Sequence, residues 1–146
     1  MAQQDAIALL DADHLHVEQL FAEYQTAEHS DRKRELAHRI CQELTVHAQI
    51  EGEIFYPAVR RATGDNQMVD GAKKAHDNAR ELINVIEAGP YDDETMTGLQ
   101  RVIEDHVKEE REQMFDRARR APGLDLMQLG QQLEQRRSEL TAGHPA

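Results

Sequence analysis

The chain has 146 residues, a formal net charge of −11 and a pI near 5.1. This length allows one domain with a hydrophobic core, and the acidic balance argues against partners such as nucleic acid or an anionic membrane surface. The composition lacks Trp and is rich in Glu, Gln, Ala, Leu and Arg, which favours helices. Cys41, the lone cysteine, lies in an apolar register and cannot form an intramolecular disulfide. With no leader-like start and no membrane-spanning run, the expected location is the cytoplasm.

Apolar residues recur at three- and four-residue steps in four stretches, which predicts four helices. Ser30 is the predicted N-cap of the second helix, and Pro57 is expected to interrupt that helix near its end. Gly89 followed by Pro90 is a stop signal for the third helix. The four predicted helices span about residues 5–27, 30–61, 67–88 and 92–122.

The predicted fold is all-α, an up-down-up-down four-helix bundle over residues 5–120 followed by a C-terminal extension over 121–146. Leu126, Leu129 and Leu133 form one narrow apolar stripe in the extension. This stripe predicts a short fifth helix that packs across the bundle. The last six residues, 141–146, are expected to be frayed.

Four histidines, one in each predicted bundle helix, lie about 30 residues apart. Half a helix, a loop and another half helix cover that distance, so the spacing predicts four imidazoles at one level of the bundle. Each lies in the apolar stripe of its helix. The four are His14, His47, His76 and His106.

Two of these histidines have a glutamate four residues later, giving the pairs His47–Glu51 and His106–Glu110. Residues four apart project from one face of a helix. A third such pair, His14–Glu18, is a warning that this spacing also arises by chance. The aligned placement of four histidines carries more weight, because several imidazoles and two carboxylates buried without partners would cost several kcal/mol.

The remaining histidines do not fit this layer. His16 is predicted to face solvent and His38 to lie on the face opposite His47, while His29 falls in a turn and His144 in the tail. None of the four is a predicted ligand.

Imidazole and carboxylate donors together suit iron or manganese, and the absence of cysteine ligands argues against structural zinc. In the simplest arrangement, two irons are bridged by Glu51 and Glu110 and by an oxo, hydroxo or water ligand. His14 and His47 would bind one iron, and His76 and His106 the other. Candidates for hydrogen bonds to the ligand imidazoles are Asp13, Glu18, Asp77 and Asp105.

The pattern H…HxxxE…H…HxxxE resembles the hemerythrin-like (HHE) domain. The local sequence also resembles that family in two places, at Asp13-His14 with Val17 and at His47-Ala-Gln-Ile-Glu51-Gly-Glu-Ile-Phe-Tyr-Pro57-Ala. The resemblance covers about residues 5–118. It implies the same four-helix fold and a di-iron cofactor held by His14, His47, Glu51, His76, His106 and Glu110.

Two departures from the oxygen-carrying members of that family affect the functional prediction. Ala72 stands where the carriers have an additional histidine, so one iron is expected to lack an imidazole and to be open to small ligands. His106 and Glu110 are four residues apart, where the carriers have a five-residue spacing that ends in Asp. Tyr56 is a candidate to approach the position of the missing imidazole if Pro57 distorts its turn. On a regular helix, Tyr56 points about 140° away from Glu51.

The leading functional prediction is a di-iron oxidoreductase that decomposes hydrogen peroxide or reacts with nitric oxide. A protein that binds oxygen or nitric oxide reversibly, as a carrier or sensor, is the alternative. A ferritin-like site needs Glu-x-x-His on two helices, and that order occurs only at Glu35–His38, on the wrong face. A metal-free structural bundle is the remaining possibility. The sequence does not identify an electron donor.

Overall fold

A computed structural model of the chain describes residues 4–142 and contains only helices and turns in that range. The helices run antiparallel in sequence order, as an all-α bundle with an additional helix after it, which confirms the predicted fold class. Two short π-helical turns, π1 and π2, interrupt the second and fourth bundle helices. The segments are α1 (Ala6–Thr26), α2 (Ser30–Ile50), π1 (Glu51–Phe55), α3 (Tyr56–Thr63), α4 (Asn66–Ala88), α5 (Asp93–Glu109), π2 (Glu110–Met114), α6 (Phe115–Arg120) and α7 (Leu126–Ala142).

Aspartates cap four of the long helices, including α7, where Asp125 accepts a hydrogen bond from the backbone N–H of Gln128. The side chain of Asp5 accepts a hydrogen bond from the backbone N–H of Ala8, and Asp92 accepts one from Thr95 in the same way. Such caps satisfy backbone donors that have no partner within the helix. Asp65 does the same at the start of α4. The predicted cap at Ser30 is wrong: Ser30 is the first residue of α2, and His29 precedes it without a side-chain cap.

Two hydrophobic clusters fill the bundle, one on each side of a layer of buried polar groups. Leu10, Phe55 and Leu133 belong to the cluster at one end, which α7 helps to close. Leu36 and Leu99 belong to the cluster at the other end. Because both clusters exclude water, a polar layer between them needs partners for its donors and acceptors.

Helix α7 extends beyond Leu133 to Ala142, and it packs closely on the start of α1. A methyl group added at Gly130 would lie 2.2 Å from the backbone oxygen of Gln4, so only glycine fits here without a shift of the backbone. Thr141 and Ala142, expected to be frayed, are helical, while residues 143–146, including His144, lie outside the described residues. No helix within 4–142 has the length and hydropathy of a membrane span.

Cys41 is completely buried in the second cluster. Burial raises the pKa of its thiol to about 12, so the thiolate is disfavoured at neutral pH. This agrees with its prediction as a small hydrophobic residue.

Candidate metal centre

The polar layer contains two overlapping groups of potential metal donors. His14 and His47, from α1 and α2, form the first half-site, and His76 and His106, from α4 and α5, form the second half-site. Glu51 and Glu110 belong to both groups, and the donor atoms of each group lie within 4.8 Å of one another. The structure thus brings together all six residues singled out from the sequence.

The two carboxylates lie between the half-sites and are almost inaccessible, with 0% of Glu51 and 2% of Glu110 exposed. Oε1 of Glu51 is 3.1 Å from His76 Nε2, and Oε2 of Glu110 is 2.8 Å from His106 Nε2. The second oxygen of each carboxylate has no hydrogen-bond partner within residues 4–142. Glu110 therefore has an oxygen available to bridge toward the first half-site, and Oε1 of Glu51 lies close to imidazoles of both half-sites.

The first half-site also contains unpartnered donors. His14 Nε2 lies 3.3 Å from Glu110 Oε1 and His47 Nε2 lies 3.1 Å from Glu51 Oε1, yet neither contact has the direction of a hydrogen bond. Four buried atoms are left unsatisfied in the described part of the chain: His14 Nε2, His47 Nε2, Glu51 Oε2 and Glu110 Oε1. Each such atom costs about 1–3 kcal/mol when it stays unpaired, and a shared cation would remove that cost.

The hydroxyl of Tyr56 lies among the donors of the second half-site. It donates to Glu110 Oε2 at 2.6 Å, and its oxygen lies 3.0 Å from His76 Nε2 and 3.2 Å from His106 Nε2. Glu51 Oε1 is 3.1 Å away. Tyr56 is completely buried, so this hydroxyl has no access to bulk water.

The distances among these five donors suit a single ion. Donors bound to one cation at about 2.1 Å lie about 3 Å apart when they are adjacent and about 4.2 Å apart when they are opposite. The Tyr56 oxygen lies at the adjacent spacing from the other four. Glu51 Oε1 and His106 Nε2 are 4.0 Å apart, close to the opposite spacing. The second half-site thus fits a cation with the phenol oxygen as an additional donor.

The π-turns explain why Tyr56 faces the centre. In a regular α-helix, residues five apart differ by about 140° in direction, whereas residues four apart differ by about 40°. A π-turn inserts one residue, so the backbone N–H of Tyr56 bonds to the carbonyl of Glu51 five residues earlier, and the two side chains share a face. The N–H of Phe115 bonds to Glu110 in the same way in π2.

The two π-turns belong to a repeated pattern, His-x3-Glu-x4-aromatic, in residues 47–56 and 106–115. Pro57 follows π1, but no proline follows π2, so proline is not a general cause of these turns. The aromatic residue is Tyr56 in the first copy and Phe115 in the second. Phe115 stacks on His14 at a centroid distance of 6.0 Å and supplies no polar donor.

Within residues 4–142, aspartates accept hydrogen bonds from the imidazoles of the first half-site only, at the ring nitrogen that faces away from the centre. Asp11 Oδ1 lies 3.1 Å from His14 Nδ1, and Asp13 Oδ2 lies 2.9 Å from His47 Nδ1. A carboxylate can only accept, so both Nδ1 atoms carry the proton and both Nε2 atoms are left as donors for a metal. Within residues 4–142, neither imidazole of the second half-site has a carboxylate beside its Nδ1 atom.

Arginines hold both of these aspartates. Arg111, in π2, donates to Asp11 at 2.6 Å, and Arg137, in α7, donates to Asp13. The Asp11 pKa is shifted downward: burial alone would raise it, but the hydrogen bonds from Arg111 and His14 outweigh burial. The aspartate therefore stays ionised beside the imidazole.

The carboxylates raise the pKa values of two imidazoles in the layer. Burial disfavours the charged form of His106, but the Glu110 carboxylate outweighs burial and raises the imidazole pKa to about 10. Burial is likewise outweighed at His47, whose pKa is raised well above its usual value by Glu51 and Asp13. A cation that binds here must therefore displace protons from the imidazoles.

Other sequence candidates lie away from this layer. Glu18 lies 3.7 Å from Arg111 and contacts no imidazole of the layer, so its predicted support role is wrong. The same holds for Asp77, which faces Arg80, and for Asp105, which is exposed. His16 and His38 lie on the surface beside glutamates, as predicted, and His29 is also exposed.

A cavity of about 400 Å³ reaches the imidazoles of both half-sites from between α2 and α4. Apolar surface dominates its wall, and polar or charged side chains such as Thr45, Asn84 and Arg80 also contribute to it. Much of this wall belongs to the second hydrophobic cluster, so a small uncharged molecule can approach the centre along that cluster. The aliphatic residues are Val17, Leu44, Ala48, Ala79, Ile83, Ile103 and Val107.

Known proteins resemble the chain in sequence and in fold. The sequence model described as the hemerythrin HHE cation binding domain matches residues 5–118. A DNA nickase of Nostoc sp. is 30% identical over 115 residues, which cover 77% of this chain and 32% of that protein. The chain thus spans about a third of the length of this curated relative.

A crystal structure of an HHE cation binding domain-containing protein from Mycobacterium kansasii has a similar fold. It superposes with a TM-score of 0.78, and the match covers 96% of this chain and 89% of that one. The two sequences are 21% identical, so this likeness concerns the fold alone.

Proposed function

This chain belongs to the hemerythrin HHE cation-binding domain family, and we propose that it holds two iron ions and uses them to react with a small oxidant, hydrogen peroxide or nitric oxide. One observation carries the proposal: His14, His47, Glu51 and Glu110 lie together in the buried layer, and each has one polar atom without a hydrogen-bond partner within residues 4–142. Imidazole and carboxylate donors without thiolate suit iron.

The chain's own residues would hold and separate the two ions. Glu110 has one oxygen toward each half-site, while Oε1 of Glu51 lies near imidazoles of both, and the two carboxylates would bridge the ions. Tyr56 would supply a phenol oxygen to the second half-site, near the position where Ala72 offers no donor. When bound, the irons supply the redox change. An oxo, hydroxo or water bridge between them belongs to the same proposal.

We place the open position for a small oxidant at the first half-site, and not at the second, where Ala72 had predicted it; an open position favours turnover over storage of a ligand. The second half-site has five potential side-chain donors and the first has four, because Phe115 stands where the repeat would place a second phenol. Tyr56 also donates a hydrogen bond to Glu110, 2.6 Å away, and would release that proton when its oxygen binds the cation. Reversible binding of oxygen or nitric oxide is the alternative, since the aliphatic cavity would admit either molecule.

The nickase relative suggests a different function, DNA cleavage, which this chain's charge does not favour. A net charge of −11 repels the phosphate backbone, whose attraction supplies most of the affinity of DNA-binding proteins. The chain also corresponds to about a third of that protein.

Anaerobic loading with ferrous iron, followed by addition of hydrogen peroxide, tests the proposal. We expect the iron-loaded protein to consume peroxide, and His47→Ala to lower both iron content and consumption by about tenfold or more. His38→Ala changes an exposed imidazole that contacts Glu87, so it is the matched control and should behave like the wild type. An oxygenated band that forms and vanishes reversibly, without peroxide consumption, would favour the carrier.

A further inference from the structure

Helix α7 reaches the metal centre through a chain of two polar contacts. Arg137, in the last turns of α7, donates a hydrogen bond to Oδ2 of Asp13 on α1. The same oxygen accepts a hydrogen bond from Nδ1 of His47 at 2.9 Å. One carboxylate oxygen thus connects a helix that lies beyond the family match at 5–118 with an imidazole of the first half-site.

The packing of α7 fixes the position of Arg137. Leu133 is completely buried in the cluster beside the centre, and Gly130 abuts the backbone at the start of α1. Arg136 also lies 2.9 Å from Glu53 in π1, but both side chains are exposed to solvent, so this contact adds little to the anchoring. Arg137 therefore reaches Asp13 from a helix that is anchored at several points.

The contact between Arg137 and Asp13 affects His47 because it pairs the charge of the Asp13 carboxylate and keeps that carboxylate directed toward the imidazole. Asp13 has only 20% of its side chain exposed, so without Arg137 its carboxylate would lack its cationic partner in a poorly hydrated place. It would then tend to turn toward water, and His47 would lose the acceptor that keeps the proton on Nδ1. The donor atom Nε2 would no longer be held toward Glu51.

We propose that α7 is a positioning element of the metal centre, and that Arg137 acts through Asp13 to hold His47 ready for the cation of the first half-site. This inference rests on the proposed metal binding by the six donors. Arg137 is a positioning residue, because it touches Asp13 and none of those donors.

Adjacent arginines on α7 provide a matched comparison. Arg137→Ala removes the contact to Asp13, while Arg136→Ala removes only the contacts to Glu53 and Glu139. Both side chains are about equally exposed, at 27% and 33%. Full-length variants are titrated anaerobically with ferrous iron against a competing chelator.

We expect Arg137→Ala to weaken the binding of one of two ions by about tenfold or more, the range seen for partners of ligand imidazoles. Arg136→Ala should stay within about twofold of the wild type. Asp13→Asn should show a similar loss, and Arg137→Ala added to Asp13→Asn should cost little more, because both act through one contact. The visible spectrum of the cobalt-loaded protein should change in Arg137→Ala and not in Arg136→Ala.

The possible outcomes separate the two proposals. A wild-type protein that binds no iron would overturn the proposed function. A wild type that binds two ions, with Arg137→Ala binding them equally well, would overturn the role of Arg137 alone. If Arg137→Ala does not fold, Arg137→Lys and Asp13→Asn decide. Weaker binding in Asp13→Asn, with partial recovery in Arg137→Lys, supports the inference, and wild-type affinity in both contradicts it.

Discussion

The two half-sites share two carboxylates but differ in what surrounds their imidazoles. In the first half-site, Asp11 and Asp13 each accept a hydrogen bond from an imidazole, and arginines hold both aspartates. In the second half-site, the hydroxyl of Tyr56 lies against both imidazoles, which lack such aspartates in the described structure. A nearly symmetric donor set thus lies in two different electrostatic environments.

This difference shows where a sequence repeat stops determining chemistry. Residues 47–56 and 106–115 repeat the same spacing and form the same π-turn, yet Tyr56 in one copy corresponds to Phe115 in the other. One hydroxyl therefore distinguishes two positions that share a backbone geometry. Variants that affect both half-sites, or only one of them, test this distinction.

Glu51→Ala should have the largest effect, because Glu51 belongs to both half-sites. We expect the variant to lose both ions, since one change removes a donor from each group and leaves His47 and His76 without that carboxylate. Metal content per chain after desalting measures the effect. Glu53→Ala, two residues later at a half-exposed position, is the control and should keep its metal. Retention of both ions by Glu51→Ala would refute the shared carboxylate.

Tyr56→Phe should affect the second half-site alone. The ferric protein should lose a visible absorption band due to phenolate bound to iron, while iron content stays near that of the wild type because the other donors remain. Tyr24→Phe removes a hydroxyl that donates to Asp93 far from the centre, so its spectrum should be unchanged. If the spectrum of Tyr56→Phe matches the wild type, the phenol is not a ligand.

Asp11→Asn should affect the first half-site more mildly. The amide still offers an oxygen to His14 but removes the negative charge that Arg111 and the imidazole face. We expect about tenfold weaker binding of one ion and no change in the phenolate band. Chelator competition measures the affinity, and Asp77→Asn, an exposed site beside Arg80, serves as control. A change in the phenolate band would place the effect in the wrong half-site.

The sequence predicted the fold and the layer of six donors because both depend on periodicity. Apolar residues at helical spacing and four histidines at matched heights need only regular helices to converge. Glu51 and Glu110 joined the layer on the same basis, as residues four positions after a histidine.

The surroundings of the layer were less predictable because they depend on local departures from regular helical geometry and on tertiary contacts. Regular helical geometry turned Tyr56 away from Glu51, and only an extra residue in the turn brings it back. Asp11 was missed although a signal for it was present, because residues three apart are neighbours on a helix surface. The contact of Arg137 depends on how α7 crosses the bundle, and apolar periodicity does not determine that. The repeated aromatic residue five positions after each glutamate was the available signal for π-turns.

Mössbauer spectroscopy of the protein loaded with ⁵⁷Fe and oxidised tests the central claim most directly, since it resolves each iron environment. Two half-sites with different surroundings predict two quadrupole doublets of equal area, and Tyr56→Phe should shift one doublet while leaving the other in place. A single doublet that accounts for all the iron, unchanged in Tyr56→Phe, would contradict a centre with two distinct halves.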